Sequence, residues 1–136
     1  MNDKIIEFIN NNRLLSLAMQ DNDGVYIANA FYAFDILNKA LIIASSPNSK
    51  HVRLATKAPN IAINIAKDNK IPLLKGLQIK AIFEKANEKQ KYIYFAKFAF
   101  ARLMNAEFYA LRIYFAKFTN NILGQKIYFE NKNIII

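Results

Sequence analysis

Within seven residues the chain brings together three hydroxyls, an ammonium and its single imidazole, in the run Ser45-Ser46-Pro47-Asn48-Ser49-Lys50-His51. Such side chains at the start of a helix have two uses. Ser49 can cap the helix while Lys50 stays solvated, or hydroxyls, first-turn N–H groups and a lysine can together hold an anion. His51 is by its type a solvated helix residue, a cap partner or a ligand. Other chemistries are excluded by what is missing. Without cysteine there are no disulfides, thiolate zinc sites, iron–sulfur ligands or cysteine nucleophiles, and one histidine cannot make a multi-histidine metal site within one chain. Asp21, Asp23 and Asp35 stand where turns are expected, and no spaced pair of carboxylates offers acid–base catalysis.

The elements that must carry this run follow from periodicity and turn chemistry. Asn2 or Asp3 caps a short helix with Ile5, Ile6, Phe8 and Ile9 at helical spacing, ended by Asn10-Asn11-Asn12 and placed as a lid on an open end of the fold. Residues 14–20 and 25–34 are extended segments joined by Asp21-Asn22-Asp23-Gly24, a tight hairpin. Residues 40–45 form an apolar run of strand length, which completes a meander. A short helix begins near Ser49 and stops at Pro59. Strands are expected over 61–65 and 73–83, the latter with Gly76 at a bulge or close approach. A helix over 88–104 carries Tyr92, Phe95, Ala96, Ala99 and Leu103 on one stripe, and strands over 107–118 and 126–130 finish the chain. Six or seven strands this apolar must close or stack, so the expected fold is mainly β, an antiparallel split barrel with two to three short helices.

At 136 residues the chain is expected to form one domain over 1–136. Its 54% hydrophobic content and 18 Phe plus Tyr exclude disorder. No apolar run reaches the roughly 18–20 residues of a membrane span, and the N-terminus does not read as a signal peptide, so the cytoplasm is the expected compartment. The net charge of +9 invites a polyanion partner. Only four of the 19 basic residues are Arg, however, whereas bidentate recognition of bases and phosphates favours Arg. The charge is also uneven: residues 1–48 hold three bases and five acids, and residues 49–136 hold sixteen and five.

Three segments, Ile27-Ala-Asn-Ala-Phe-Tyr-Ala-Phe-Asp35, Ile42-Ile-Ala-Ser-Ser-Pro-Asn-Ser-Lys-His51 and Ala58-Pro-Asn60, fall in this order along the chain. Together they resemble the FMN-binding split barrels related to pyridoxamine 5′-phosphate oxidase, in particular a small uncharacterised bacterial branch. Leu74-Lys-Gly-Leu-Gln-Ile79, Ala101-Arg-Leu-Met104 and Lys117-Phe-Thr-Asn-Asn-Ile-Leu-Gly124 extend the likeness over nearly the whole chain. By this resemblance Ser45, Ser46, Ser49, Lys50 and His51 grip the FMN phosphate, and the backbone from Asn29 to Phe34, with Asn29, Ala30, Phe31 and Tyr32 as the cofactor-binding positions, runs along the isoalloxazine edge. Lys75 and Gly76 match a position near the cofactor. The resemblance further implies a homodimer with two flavins at its interface, residues 117–121 of the partner completing each site. Asn29 and Phe34 stand where the oxidase has Arg and Lys, and the oxidase's longer C-terminal segment has no counterpart here. These departures weigh against pyridoxamine phosphate oxidation and not against flavin binding.

The function expected is therefore a flavin-dependent oxidoreductase of unknown substrate, in which FMN carries the electrons and the protein anchors the phosphate and orients the ring. Two alternatives stand beside it. One is a non-catalytic binder of flavin, deazaflavin or haem on the same fold, with His51 the available axial ligand. The other is a basic barrel for single-stranded nucleic acid, with affinity falling steeply with salt. No membrane span is expected.

Overall fold

The computed structural model describes residues 1–133. Chain order is α1 (Asp3–Asn10), β1 (Leu14–Asp21), β2 (Gly24–Asp35), β3 (Ala40–Ser45), α2 (Lys50–Lys57), β4 (Asn60–Lys67), a 3-10 turn (Ile71–Leu73), β5 (Lys75–Lys85), α3 (Glu88–Lys97), a second 3-10 segment (Ala99–Leu103), β6 (Glu107–Asn120) and β7 (Gln125–Glu130). All strand pairs are antiparallel, in the order β3-β2-β1-β4-β5-β6-β7, and β3 also pairs with β6. That last pairing closes six strands into a barrel. β6 is long enough to serve two partners: residues 107–112 pair with β3, and residues 115–120 pair with β7. Opposite β5, Phe115 faces Lys80 while Ile113 faces Ala81, so Tyr114 is the extra residue of a bulge at the point where β6 changes partner. This is the split barrel that the strand pattern predicts.

Period-two alternation drives the closure. In β4 the side chains of Ile61, Ile63 and Ile65 are buried between exposed neighbours, and β5 buries Leu77, Ile79, Ala81 and Phe83 in the same way. The short strand β3 buries Ala40, Leu41, Ile42 and Ile43 without alternation, because the barrel interior takes one face and a second cluster around Tyr94, Ala101 and Phe108 takes the other. Ile5, Phe8 and Ile9 of α1 close one end, with Phe8 5.3 Å from Phe118. Val52 and Ala55 of α2 insert into the same core from their own helix.

Three expectations require correction. The helix read over 88–104 ends at Lys97, and the stripe assigned to it is not the buried one: Tyr92 is 63% and Leu103 92% exposed, while Gln90 and Tyr94 face inward. The cause is polar. Gln90 closes a capping box with Asn87 and also donates to the buried Asp35 carboxylate at 3.1 Å, which turns that face of the helix towards the sheet. The strand read from residue 73 begins at Lys75, because Pro72 lies in the preceding 3-10 turn, and it runs on to Lys85. Gly76 is in regular register opposite Ala66, and the bulge lies further along, between Lys80 and Ala81; of the two roles expected for Gly76 the close approach holds, since a Cβ there would stand 3.2 Å from Gln78 Nε2. No helix among the described residues is long and apolar enough to cross a membrane.

Candidate functional site

The junction between β3 and α2 is folded tightly on itself. The backbone N–H of Ser49 donates to the Ser46 carbonyl at 3.1 Å, and the Ser49 hydroxyl donates to the same oxygen at 2.7 Å. Asn48 N–H reaches the Ser46 hydroxyl at 3.3 Å. The consequence lies in what Ser49 does not do. It occupies the N-cap position of α2, yet its side chain makes no cap hydrogen bond, so the first-turn N–H groups of the helix lack that acceptor. The other two helices are capped by their own side chains, Asn2 in α1 and Asn87 in α3.

Around this helix start the polar groups are ordered. His51 Nε2 lies 2.9 Å from the Ser45 hydroxyl, and half-burial holds the imidazole pKa below its ordinary value, favouring the neutral ring. Lys50 turns towards the β1–β2 hairpin. Its ammonium lies 3.0 Å from Asp21 Oδ2 and 4.7 Å from the centre of the Tyr26 ring. The hydrogen bond from Lys50, aided by the Asn22 N–H, lowers the Asp21 pKa, and the same hydrogen bond raises that of Lys50. The chain therefore gathers Ser45, Ser46, Ser49, Lys50 and His51 at one corner, with a partly buried carboxylate already holding the lysine.

The strand residues separate by face. Asn29 and Phe31 point outward, Asn29 accepting from the Ser16 hydroxyl at 2.8 Å and Phe31 standing 46% exposed. Ala30 and Tyr32 point inward. Tyr32 is fully buried, its hydroxyl donates to the Ile9 carbonyl at 2.7 Å, and burial pushes the phenol pKa well above its ordinary value. A ligand on the outer face meets only its backbone. Lys75 and Gly76 lie on β5, two strands beyond β1 in the sheet, and line a shallow groove of about 320 Å³ with Asn64 and Thr119. Within one chain they are not brought to the Ser45–His51 corner.

Sequence reasoning did not find the outward face of β1, β4 and β5. There Ser16 pairs in register with both Asn29 and Asn64, and Asn64 with Gln78, whose amide donates to it at 3.4 Å. Beside this polar row Ala18, Ile27, Ala62 and Phe115 line an apolar groove of about 320 Å³. Val25 and Ile27 are 78% and 65% exposed on the same face. Small residues at alternate outward positions, Ser16 and Ala18 with Ala62 and Asn64, were the available signal.

No protein-family model matches the chain. Over 135 residues, 97% of this chain and all of the relative, it is 53% identical to a UPF0306 protein of Campylobacter jejuni. A UPF0306 protein of Cronobacter sakazakii is 26% identical over 127 residues, 90% of this chain and 88% of the relative. Among solved structures it is similar to a haem-binding protein from Mycobacterium smegmatis (TM-score 0.78, 12% identity, 96% of this chain and 59% of that one). It is also similar to Campylobacter jejuni ChuZ (0.75, 21%, 96% and 59%) and to a FAD-binding protein from Mesorhizobium loti (0.70, 12%, 85% and 92%). At such identities the likeness is one of fold, and the chain spans only about six tenths of the first two structures.

Proposed function

The chain belongs to the UPF0306 family, and from that premise we propose that it is a single-domain, homodimeric FMN-binding split-barrel protein of the cytoplasm acting as a flavin-dependent oxidoreductase. The observation that carries the reading is the uncapped start of α2. Its first-turn N–H groups have no side-chain acceptor, the hydroxyls of Ser45, Ser46 and Ser49 lie beside them, and a phosphate dianion there completes the cap that Ser49 leaves open. Lys50 exchanges the Asp21 carboxylate for the phosphate, and the neutral His51 holds the Ser45 hydroxyl in place. The residues therefore fit the phosphate end of FMN.

The ring is assigned to the outer side of β2, along the backbone from Asn29 to Tyr32, with Phe31 offering its exposed face. Since Lys75 and Gly76 lie away from this corner in one chain, they join the site only from a second copy, packed across the apolar face of Ala18, Ile27, Ala62 and Phe115. When bound, flavin supplies one- and two-electron transfer. The side chains at the start of α2 would anchor the phosphate, the β2 backbone would line the ring edge, and the apolar face would exclude water where the second copy covers it.

The test is titration of the purified protein with FMN, followed by visible absorbance and fluorescence quenching, for wild type and Ser49→Ala/Lys50→Ala. Saturable binding by a folded dimer, weakened in the double variant, supports the reading. Absence of flavin uptake by folded protein refutes it. A Soret band on haem addition that is lost in His51→Ala would assign the site to haem instead.

A further inference from the structure

At the α1 end of the barrel three cations from three different elements line one pocket of about 380 Å³: Arg13 from the α1–β1 turn, Lys67 from the end of β4 and Lys97 from the end of α3. The consecutive amides of Asn10, Asn11 and Asn12 line it as well, and none of its lining residues is acidic. The ion pairs among the described residues are Lys50–Asp21, Lys91–Glu88 and Arg112–Glu84, and none of them engages Arg13, Lys67 or Lys97. Two of the three cations are nevertheless held in place. The Lys97 ammonium donates to the Asn12 carbonyl at 3.1 Å and lies 4.9 Å from the centre of the Tyr32 ring and 5.5 Å from that of Phe98. The Arg13 guanidinium lies 5.9 Å from the centre of the Phe31 ring. Ring faces and a carbonyl orient a cation without neutralising it.

Although much of the Lys97 side chain is exposed, its charged end sits against these rings. Burial there, and then the Arg13 charge, lower its pKa. Both effects penalise the charged form, and the attraction of an anion in the pocket offsets them.

We propose that this pocket binds a small oxyanion, the phosphate or carboxylate group of a low-molecular-weight ligand. The cations converge on a concavity from three elements, whereas a nucleic-acid strand calls for a basic groove that tracks its backbone with stacking rings. The pocket is distinct from the Ser45–His51 corner. Arg13 precedes the first residue of β1, and Asp21, which holds Lys50, is the last, so a strand rise of about 3.3 Å per residue sets them roughly 25 Å apart. Nothing in the inference depends on a flavin.

The experiment is an NMR titration of amide and side-chain N–H resonances of the full chain. One arm uses inorganic phosphate and the other succinate, with ionic strength held constant by chloride. The expected result is saturable shifts at Asn10, Asn11, Asn12, Arg13 and Lys97. Affinity should fall by roughly tenfold or more in Lys97→Met, the effect of losing one hydrogen bond to a charged group, and recover in Lys97→Arg. Saturation in the phosphate arm alone identifies a phosphate ligand and in the succinate arm alone a carboxylate, and either supports the proposal. Shifts confined to residues 45–51 would overturn it while leaving the flavin-phosphate reading intact. Shifts spread evenly over the lysines, or binding unaffected by Lys97→Met, would also overturn it.

Discussion

Tyr32→Phe separates what β2 does for the fold from what it does for a ligand. The substitution removes one oxygen from a fully buried ring and leaves the shape of the core unchanged. What is lost is the 2.7 Å hydrogen bond to the Ile9 carbonyl, which ties the last turn of α1 to the barrel wall. A buried acceptor left without its donor costs about 1–3 kcal/mol. The lower part of that range applies, because the same carbonyl also receives the Asn12 N–H at 3.4 Å. A loss of about 1–2 kcal/mol, against an unfolding entropy of about 2.1 cal/mol/K per residue over 136 residues, lowers Tm by about 3–7 °C. Because the outer face of the sheet sees only the backbone of Tyr32, the FMN dissociation constant should stay unchanged. The assays are calorimetry and fluorescence titration of the same preparation. A Tm within one degree of wild type would show that the hydrogen bond does not brace α1. A large loss of FMN affinity at unchanged Tm would show that the Tyr32 hydroxyl meets the ligand, contrary to the geometry.

Two further perturbations probe the other faces. Ile27→Arg places a charge in the apolar groove at a position 65% exposed in one chain, so the fold should survive while the proposed dimer dissociates in sedimentation velocity, and a variant that stays dimeric would place the interface elsewhere. Since burial holds the His51 pKa below the ordinary 6.5, the unfolded chain takes up a proton that the folded chain resists as the pH falls through 6.5. Stability is then full above that value and declines on acidification towards the lower folded pKa. Urea midpoints measured between about pH 7.5 and 5.5 should show this slope in wild type and lose part of it in His51→Gln, and equal slopes would remove His51 as its source.

Much of the fold was legible in the sequence because the signals are local. Asp21-Asn22-Asp23-Gly24 forms the expected tight hairpin turn, which the structure narrows to two residues with Asp21 opposite Gly24, and Gly24 is at φ +140°, a conformation that L side chains rarely adopt. Alternating Ile61, Ile63 and Ile65 must turn one face inward wherever the strand lies, and Ser49 stands at a helix start because Pro59 and the polar run before it leave α2 only one span. The candidate cradle was readable to the same extent, as residue types beside a helix start.

What tertiary structure alone decided are the pairings between residues far apart in the chain. Nothing near Lys50 in sequence announces that Asp21 takes its ammonium. The inward face of α3 was misread because a period-3.6 reading follows apolar residues, whereas the helix turned its Gln90 to a buried carboxylate 55 residues away. The outer groove depends on the register that sets Ser16 beside both Asn29 and Asn64, and the pocket of Arg13, Lys67 and Lys97 depends on barrel closure bringing three chain segments to one end. Local chemistry determines which elements form, because it acts over a few residues. The sites arise where closure carries distant side chains into contact, and one chain's periodicity holds no record of that distance.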